Sequence, residues 1–360
     1  MDKNINKKIK LLILTQRVDV GDSVLGFMHG WIKEFAKHCD KVTVICLYKG
    51  EYELPNNVKV LSLGKENLEF GIWSLEFLKK LKYILIFYKY IWRERSNYDR
   101  VFVHMNREYV VLGGALWRCW GKKVALWYNH SFGNFITRLA MKLAQHIFYV
   151  SPFAFTAKSR KSIQMPAGVD MEVFKRIPHI IKKENALLYL GRISPVKRLA
   201  TLISAAVLLD RKGIDFELNI YGEAATESDK DYKKKIEQQA GALAGKKIFF
   251  HEPAANIETP QIYNKHQLLI NLTQSGSFDK TIMEAMACEV PTIVSNQSLR
   301  GVLPEELLFK ESNAQDLADK ISAFLKMPED QRAELGKKLK QYVADNHNLK
   351  KLIIKLTKIL

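Results

Sequence analysis

At 360 residues the chain exceeds what one hydrophobic core comfortably serves, so two domains of ordinary size are expected. Apolar residues make up 47% and charged residues 26%, a globular composition that excludes a disordered chain, and no run of eighteen uncharged apolar residues is present to span a bilayer. The net charge of +18 is lopsided: residues 1–180 hold 29 Lys+Arg against 15 Asp+Glu, and residues 181–360 hold 27 against 23.

From Tyr109 to Val169 there is no acidic residue, while Arg118, Lys122, Lys123, Arg138, Lys142, Lys158, Arg160 and Lys161 are basic. Such a balance suits an anionic partner: a membrane leaflet, a phosphorylated substrate or nucleic acid. The plainer reading is solvated helix faces kept soluble by lysine, and the two are not exclusive. Cys39, Cys46, Cys119 and Cys288 have no paired spacing, which fits buried thiols in a reducing compartment and neither disulfides nor a metal site.

The N-terminal "MDKNINKKIKLLILTQR" starts basic, but its apolar run is short for a signal peptide and reads as a buried first strand, so a cytoplasmic protein is expected. "IKLLILTQ" precedes a helix near 23–38, then "KVTVICLY" and "VKVLSLG". A long helical stretch leads to "RVFVHM", a Gly-Gly helix, "KVALWYN", another helix and "HIFYVS". This βαβ alternation of β-branched, doubly buried strands predicts a parallel sheet covered on both faces.

The alternation restarts after "PAGVDMEVFKRIPHIIKKEN", whose lysine-rich 175–185 region reads as a linker. "ALLYLGR", "FELNIYG", "KIFFHE", "LLINLT" and "PTIVS" are strands, with helices near 197–213, 229–245, 258–265 and 280–288. The fold class is α/β, two Rossmann-like parallel-sheet domains with a ligand cleft at the carboxyl ends of their strands. The boundaries are 1–175 and 176–345, with a terminal helix at 346–360 free to pack on the first domain.

"ALLYLGR" ends in Gly191-Arg192 and "ISPVKR" opens a helix, which would set Arg192 and Lys197 near a helix N-terminus. Free N–H groups there already favour anions, and two cations make the place suited to a diphosphate. No G-x-G-x-x-G follows any strand, which argues against a dinucleotide fold, and Walker A, His-Glu-x-x-His and G-x-S-x-G patterns are absent. "SGSFDKTIMEAMA" leads from a strand through a polar loop into a helix. Its N–H groups would face the cleft, and Glu284, about one turn in, would accept hydrogen bonds from a ribose diol. As an alternative, Glu284 is simply an acid favoured by the helix dipole. His104 and His130 close strands in the first half, at the edge expected to face ligand.

Taken together, Gly191-Arg192…Lys197, "ELNIYGEA" and "SGSFDKTIMEAMACEVPTIVSN" resemble the nucleotide-sugar-binding domain of glycosyltransferase family 4, of GT-B fold. "VGDSVLGFMHGWIKEFAKHCDKVTVICLY", "WYNH" and "PAGVDMEVF" extend the resemblance to nearly the whole chain. It implies a retaining hexosyltransferase moving sugar from a nucleotide-sugar donor to a glycan or lipid-linked acceptor, in cell-envelope or polysaccharide synthesis. Arg192 and Lys197 would bind the donor diphosphate and stabilise the leaving group, Glu284 would hold the ribose, and His130 would face the sugar. Gly191, Gly276, Ser277, Phe278, Asp279 and Lys280 would complete the donor site, with Gly21, Asp22 and His104 on the acceptor or phosphate side. Neither a metal nor another cofactor is implied, since the basic pair carries the role a metal would have. One departure stands out: the family has two glutamates eight positions apart, and Gly276 replaces the first. Asp279, where the family has Gly, or Lys280 is expected to take over part of that contact.

"WSLEFLKKLKYILIFYKYIWRER", residues 73–95, sets Leu75, Leu78, Leu81, Leu85, Tyr88 and Trp92 at helical spacing, flanked by Lys79, Lys80, Lys82, Lys89, Arg93 and Arg95. Such a helix either packs on the first sheet or lies in an anionic membrane interface, which would make the protein peripheral on the inner leaflet. Two alternatives to the transferase stand: a nucleotide-sugar epimerase of similar architecture, or an inactive relative that binds membrane or nucleic acid. With no nucleic-acid module in the sequence, nucleic acid ranks last among partners.

Overall fold

The computed structural model describes residues 9–67 and 76–360. The chain divides into two compact units: the first ends at Gly168 and takes back Leu349–Leu360, and the second is Val169–Asn348.

The first unit is a seven-stranded parallel sheet in the order β3-β2-β1-β4-β5-β6-β7. Its strands are β1 (Ile9–Val18), β2 (Cys39–Lys49), β3 (Val58–Ser62), β4 (Arg100–His104), β5 (Lys123–Trp127), β6 (His146–Tyr149) and β7 (Ser162–Gln164). Leu11 to Leu14 of β1 are all fully buried, as a central strand covered on both faces requires. The helices are α1 (Phe27–His38), α2 (Glu76–Arg93), α3 (Arg107–Cys119) and α4 (Phe135–Leu143). Met28, Trp31, Ile32 and Phe35 give α1 a buried stripe at helical spacing. The sheet order reverses between β1 and β4, so the loops after these strands diverge and leave a crevice at their carboxyl ends.

The second unit is a five-stranded parallel sheet in the order β10-β9-β8-β11-β12. Its strands are β8 (Ala186–Leu190), β9 (Glu217–Tyr221), β10 (Ile248–His251), β11 (Leu268–Asn271) and β12 (Thr292–Val294). Helices α5 (Leu199–Arg211), α6 (Glu227–Ala240), α7 (Thr259–Lys265) and α8 (Lys280–Ala287) connect them, and α9 (Ala314–Lys326) and α10 (Glu329–Asn346) follow. Here the order reverses between β8 and β11.

The last helix, α11 (Leu349–Ile359), packs on α1 of the first unit through Leu349, Leu352, Ile353 and Leu356. Trp31 of α1 donates its indole N–H to the Gly168 carbonyl at 3.0 Å, tying the end of the first unit to the same helix.

Two expectations need correction, and the two readings of α2 meet a mixed result. The 175–185 stretch is no free linker, because it is bound to the second unit. Ile177 N–H donates to Asn264 Oδ1 at 2.8 Å, Lys183 N–H to the Lys265 carbonyl at 2.9 Å, and the half-buried Lys182 Nζ to the Glu289 carbonyl at 2.8 Å. Cys119 is exposed at the end of α3, whereas Cys39, Cys46 and Cys288 are buried, and burial pushes the thiols of Cys39 and Cys46 up to about 12. Helix α2 is seated by Phe87 and Ile91, both wholly buried, while Leu78, Leu81, Leu85 and Trp92 of the predicted stripe are exposed. Leu75 lies outside the described residues.

Candidate active site

In the second unit the site is built where β8 and β11 part. Strand β8 delivers Gly191, whose carbonyl closes so tightly on the end of β9 that a Cβ on Gly222 would sit 2.0 Å from it. Only glycine fits at 222. The turn that follows is not the predicted helix N-terminus. Pro195–Lys197 form a single 3-10 turn, Arg198 adopts a left-handed φ of 52°, and α5 begins at Leu199. Arg192 is exposed on this turn, and its carbonyl accepts the Tyr189 hydroxyl at 2.9 Å. Lys197 instead points inward and bridges to the loop after β11. Its Nζ donates to Asp279 Oδ2 at 2.5 Å and to Thr273 Oγ1 at 3.0 Å.

Asp279 is the junction of the site. One carboxylate oxygen accepts from Lys197 and, at 2.8 Å, from the Thr273 hydroxyl. The other accepts from the Thr281 backbone N–H at 3.2 Å and the Thr281 hydroxyl at 2.9 Å, which makes Asp279 the N-cap of α8. Burial alone would raise this carboxyl. The Lys197 charge and hydrogen bonds from Lys197, Asn271 and Thr273 outweigh it and hold the group well below the usual carboxylate range.

The loop 274–278 does not offer its N–H groups as predicted. Ser275 N–H donates to Glu311 Oε1 at 2.8 Å, Gly276 N–H to Ser298 Oγ at 3.0 Å and Ser277 N–H to the Gln274 carbonyl at 3.1 Å. Backbone N–H groups drawn away from water must find acceptors, and here the protein supplies them. Asn296 adds a bond to the Ser277 carbonyl at 2.6 Å, and Glu311 is held in turn by Arg198 at 2.6 Å. Gly276 has a φ of 89°, a conformation in which a side chain would be strained. Phe278 packs against the core of the unit, its ring 6.3 Å from that of His347.

Glu284 lies in the second turn of α8 and is buried, with 4% of its surface exposed. It accepts the Tyr263 hydroxyl at 3.2 Å and a side-chain hydrogen bond from Asn256. Burial pushes its carboxyl up, opposed by the Lys280 charge, and burial likewise pushes the Lys280 ammonium down, opposed by Glu284. Lys280, one helical turn before Glu284, is therefore a partner of that carboxylate inside α8. Thr273, Tyr263, Asn256 and Glu311 were missed in the sequence reading. Thr273 alone carried a signal, as the polar residue closing "LLINLT".

In the first unit a hollow of about 390 Å³ opens at the carboxyl ends of β1, β4 and β5, lined among others by Gln16, Asn106, Arg107, Tyr128, His130 and Phe132. His130 is exposed on its rim, its ring edge-on to Tyr128 at 5.4 Å. The protein packed around its inner edge excludes water and lowers its pKa, and the Arg107 charge adds to this. Arg107 donates to the Tyr128 hydroxyl at 2.8 Å and to Thr137. Asn106 is buried, and its side-chain nitrogen has no hydrogen-bond partner among the described residues. His104 stands elsewhere than expected: it is buried, its ring 5.7 to 6.4 Å from those of Phe27, Trp31 and Trp127. Asp22 is consumed locally by Arg17 and by the N–H groups of Val24 and Leu25, and Gly21 is exposed in the same turn.

Residues 170–342, nearly all of the second unit, match the family model "Glycosyl transferases group 1". This stretch belongs to the group 1 glycosyltransferases. A relative, the D-inositol 3-phosphate glycosyltransferase of Arthrobacter sp. (strain FB24), is 27% identical over 191 residues, which cover 51% of this chain. The chain spans only 41% of the length of that relative. Two solved structures share the fold across both units. Anabaena Alr3699/HepE in complex with UDP and glucose is 18% identical with a TM-score of 0.75, covering 98% of this chain and 99% of that one. Sucrose-phosphate synthase from Thermosynechococcus elongatus is 16% identical with a TM-score of 0.77, covering 97% and 98%. The two parallel-sheet α/β units thus have the GT-B fold shared with these structures.

Proposed function

We propose that the chain is a retaining hexosyltransferase that moves sugar from a nucleoside-diphosphate donor to a glycan or lipid-linked acceptor. The observation that carries this is the meeting of Lys197, Thr273 and Asp279 at the β8/β11 switch point of a group 1 domain. Open α/β sheets bind ligands at that place. As the bond from sugar to phosphate breaks, negative charge grows on the diphosphate, and Lys197 with Arg192 opposes it in place of a metal. Glu284, oriented by Tyr263 and Asn256, holds the ribose, and His130 and Arg107 line the acceptor side.

Asp279 has no oxygen left for the sugar, so it takes over no part of the contact expected at Gly276. It orients Lys197 and tempers its charge. A lipid-linked acceptor would bring the chain to an anionic inner-leaflet surface, which the basic first unit suits.

The test is thermal-shift screening against UDP-, GDP-, ADP- and dTDP-sugars, since a ligand of the folded state raises the midpoint by mass action. One donor should raise it, and Arg192→Ala and Lys197→Ala should each remove the rise. No response to any donor, or a response indifferent to both substitutions, rejects the reading. Incubating the donor without acceptor excludes an epimerase if the sugar is unchanged.

A further inference from the structure

Helix α2 hangs on the first sheet by one side only. Phe87 and Ile91 are wholly buried, whereas Phe77, Leu78, Leu81, Leu85 and Trp92 are between 41% and 76% exposed. The steps from 78 to 81, 85 and 92 are multiples of the helical repeat, so these side chains form one continuous stripe. Lys80, Lys82, Lys89 and Arg93 are exposed along the same helix, and no acidic residue stands between Phe77 and Arg93. The first acid beyond, Glu94, is buried and held by Lys59 at 2.7 Å and Arg93 at 3.1 Å, so it contributes no negative surface.

The stripe continues past the end of the helix. Trp92 meets Trp120 edge-on at 5.6 Å, Arg95 lies over the Trp92 ring at 4.6 Å, and a groove of about 640 Å³ opens between α2 and the exposed Leu116 of α3. The acid-free segment from Tyr109 to Val169 begins beside it.

We propose that this face docks on an anionic phospholipid bilayer, with the leucines and Trp92 in the boundary between headgroups and acyl chains and the lysines and arginines at lipid phosphates. An apolar stripe with tryptophan at its end and cations flanking it has the form of an interfacial helix. Charge selects among occupants. A second copy of this chain would bring the same cations against one another, and a nucleic acid would leave the leucines without a partner. An anionic leaflet satisfies both the apolar and the charged part. The inference deepens the reading of a lipid-linked acceptor by naming the face that docks, and it does not depend on the donor site.

The full chain is mixed with phosphatidylcholine vesicles, with or without phosphatidylglycerol, and floated through a density gradient at low and high salt. It should float with the anionic vesicles and detach at high salt. Leu81→Glu with Leu85→Glu, both exposed, should cut binding at least tenfold at an unchanged melting temperature, and Lys82→Glu with Lys89→Glu should do likewise. Trp92 fluorescence should shift to the blue on vesicle addition, and this shift should vanish in Trp92→Phe. Failure to float with anionic vesicles at low salt overturns the proposal, as does flotation that both double variants retain. A dimer in solution that Leu81→Glu with Leu85→Glu dissociates assigns the face to a second copy and overturns it too. Donor-induced thermal shift, measured on the same variants, should persist; its absence in every protein, wild type included, with flotation intact would reject the transferase reading and leave the docking face standing.

Discussion

Asp279→Asn should tighten the binding of a nucleoside diphosphate. The carboxylate lies 2.5 Å from Lys197 Nζ, with side-chain exposures of 12% for Asp279 and 25% for Lys197. Asparagine removes the charge at nearly unchanged size and keeps one oxygen, which serves either Lys197 and Thr273 or the N-cap at Thr281, so one of these two pairs of hydrogen bonds is lost with the charge. Thr273 still holds the lysine at 3.0 Å. A phosphate oxygen in contact with the far side of Nζ would lie about 6 Å from the carboxylate. At an effective dielectric of about 20 the repulsion there is roughly 3 kcal/mol, and partial exposure to solvent reduces it to about 1–2 kcal/mol. The expected outcome is UDP binding about tenfold tighter by isothermal titration calorimetry, with Lys197→Ala weaker than wild type. The same change should cost about 1–3 kcal/mol of folding stability, because Lys197 loses its counter-charge. Unchanged affinity would mean that the phosphates do not sit at Lys197. Weaker binding would mean that Asp279 accepts a hydrogen bond from the donor, and either result refutes the reasoning.

Gly222→Ala forces a Cβ to 2.0 Å from the Gly191 carbonyl, so it should lower stability by about 2–3 kcal/mol in denaturant titrations and weaken donor binding with it. Tyr263→Phe strips one donor from the buried Glu284 and should cost about 1–3 kcal/mol in the same titration. Burial lowers the pKa of His29, His146, His251, His266 and His347, the last to about 4. Unfolded histidines take up protons near 6.5 while these resist, so stability is full above that pH and falls as the pH drops. Urea midpoints from pH 7.5 to 4.5 should decline steadily, and His347→Gln should flatten the decline. His130 should titrate below 6.5 in an NMR pH series, and Arg107→Gln should move its midpoint upward.

Strands were largely legible because burial on both faces leaves an unmistakable apolar run. Leu11–Leu14 of β1 and Leu268–Ile270 of β11 are wholly buried in strands with a neighbour on either side. The short β7 was not foreseen: "SIQ" has three residues and no alternation, and it exists through its pairing with β6. The linker reading failed for a related reason. Lysine-rich composition suggested a linker at 175–185, yet a long lysine stem packs along the protein when its end finds a carbonyl, as the half-buried Lys182 does at Glu289.

The misread loop before α8 and the two readings left open for the face of α2 share a cause. Periodicity says which residues fall on a common side of an element, and it does not say which side the rest of the chain covers. On α2 two apolar sets compete, and Phe87 with Ile91 takes the sheet because aromatic and β-branched side chains there meet Trp117 and the strands. The leucine stripe is left outside. In the 274–278 loop glycine and serines leave N–H groups accessible to any acceptor, and the acceptors that claim them, Glu311, Ser298 and Gln274, come from as far as 36 residues away in the chain. A donor that uses these N–H groups must first displace Glu311 from Ser275, so Glu311→Gln, a weaker acceptor, should loosen the loop and speed donor association in stopped-flow fluorescence. An association rate that Glu311→Gln leaves unchanged would show that the loop binds donor without opening.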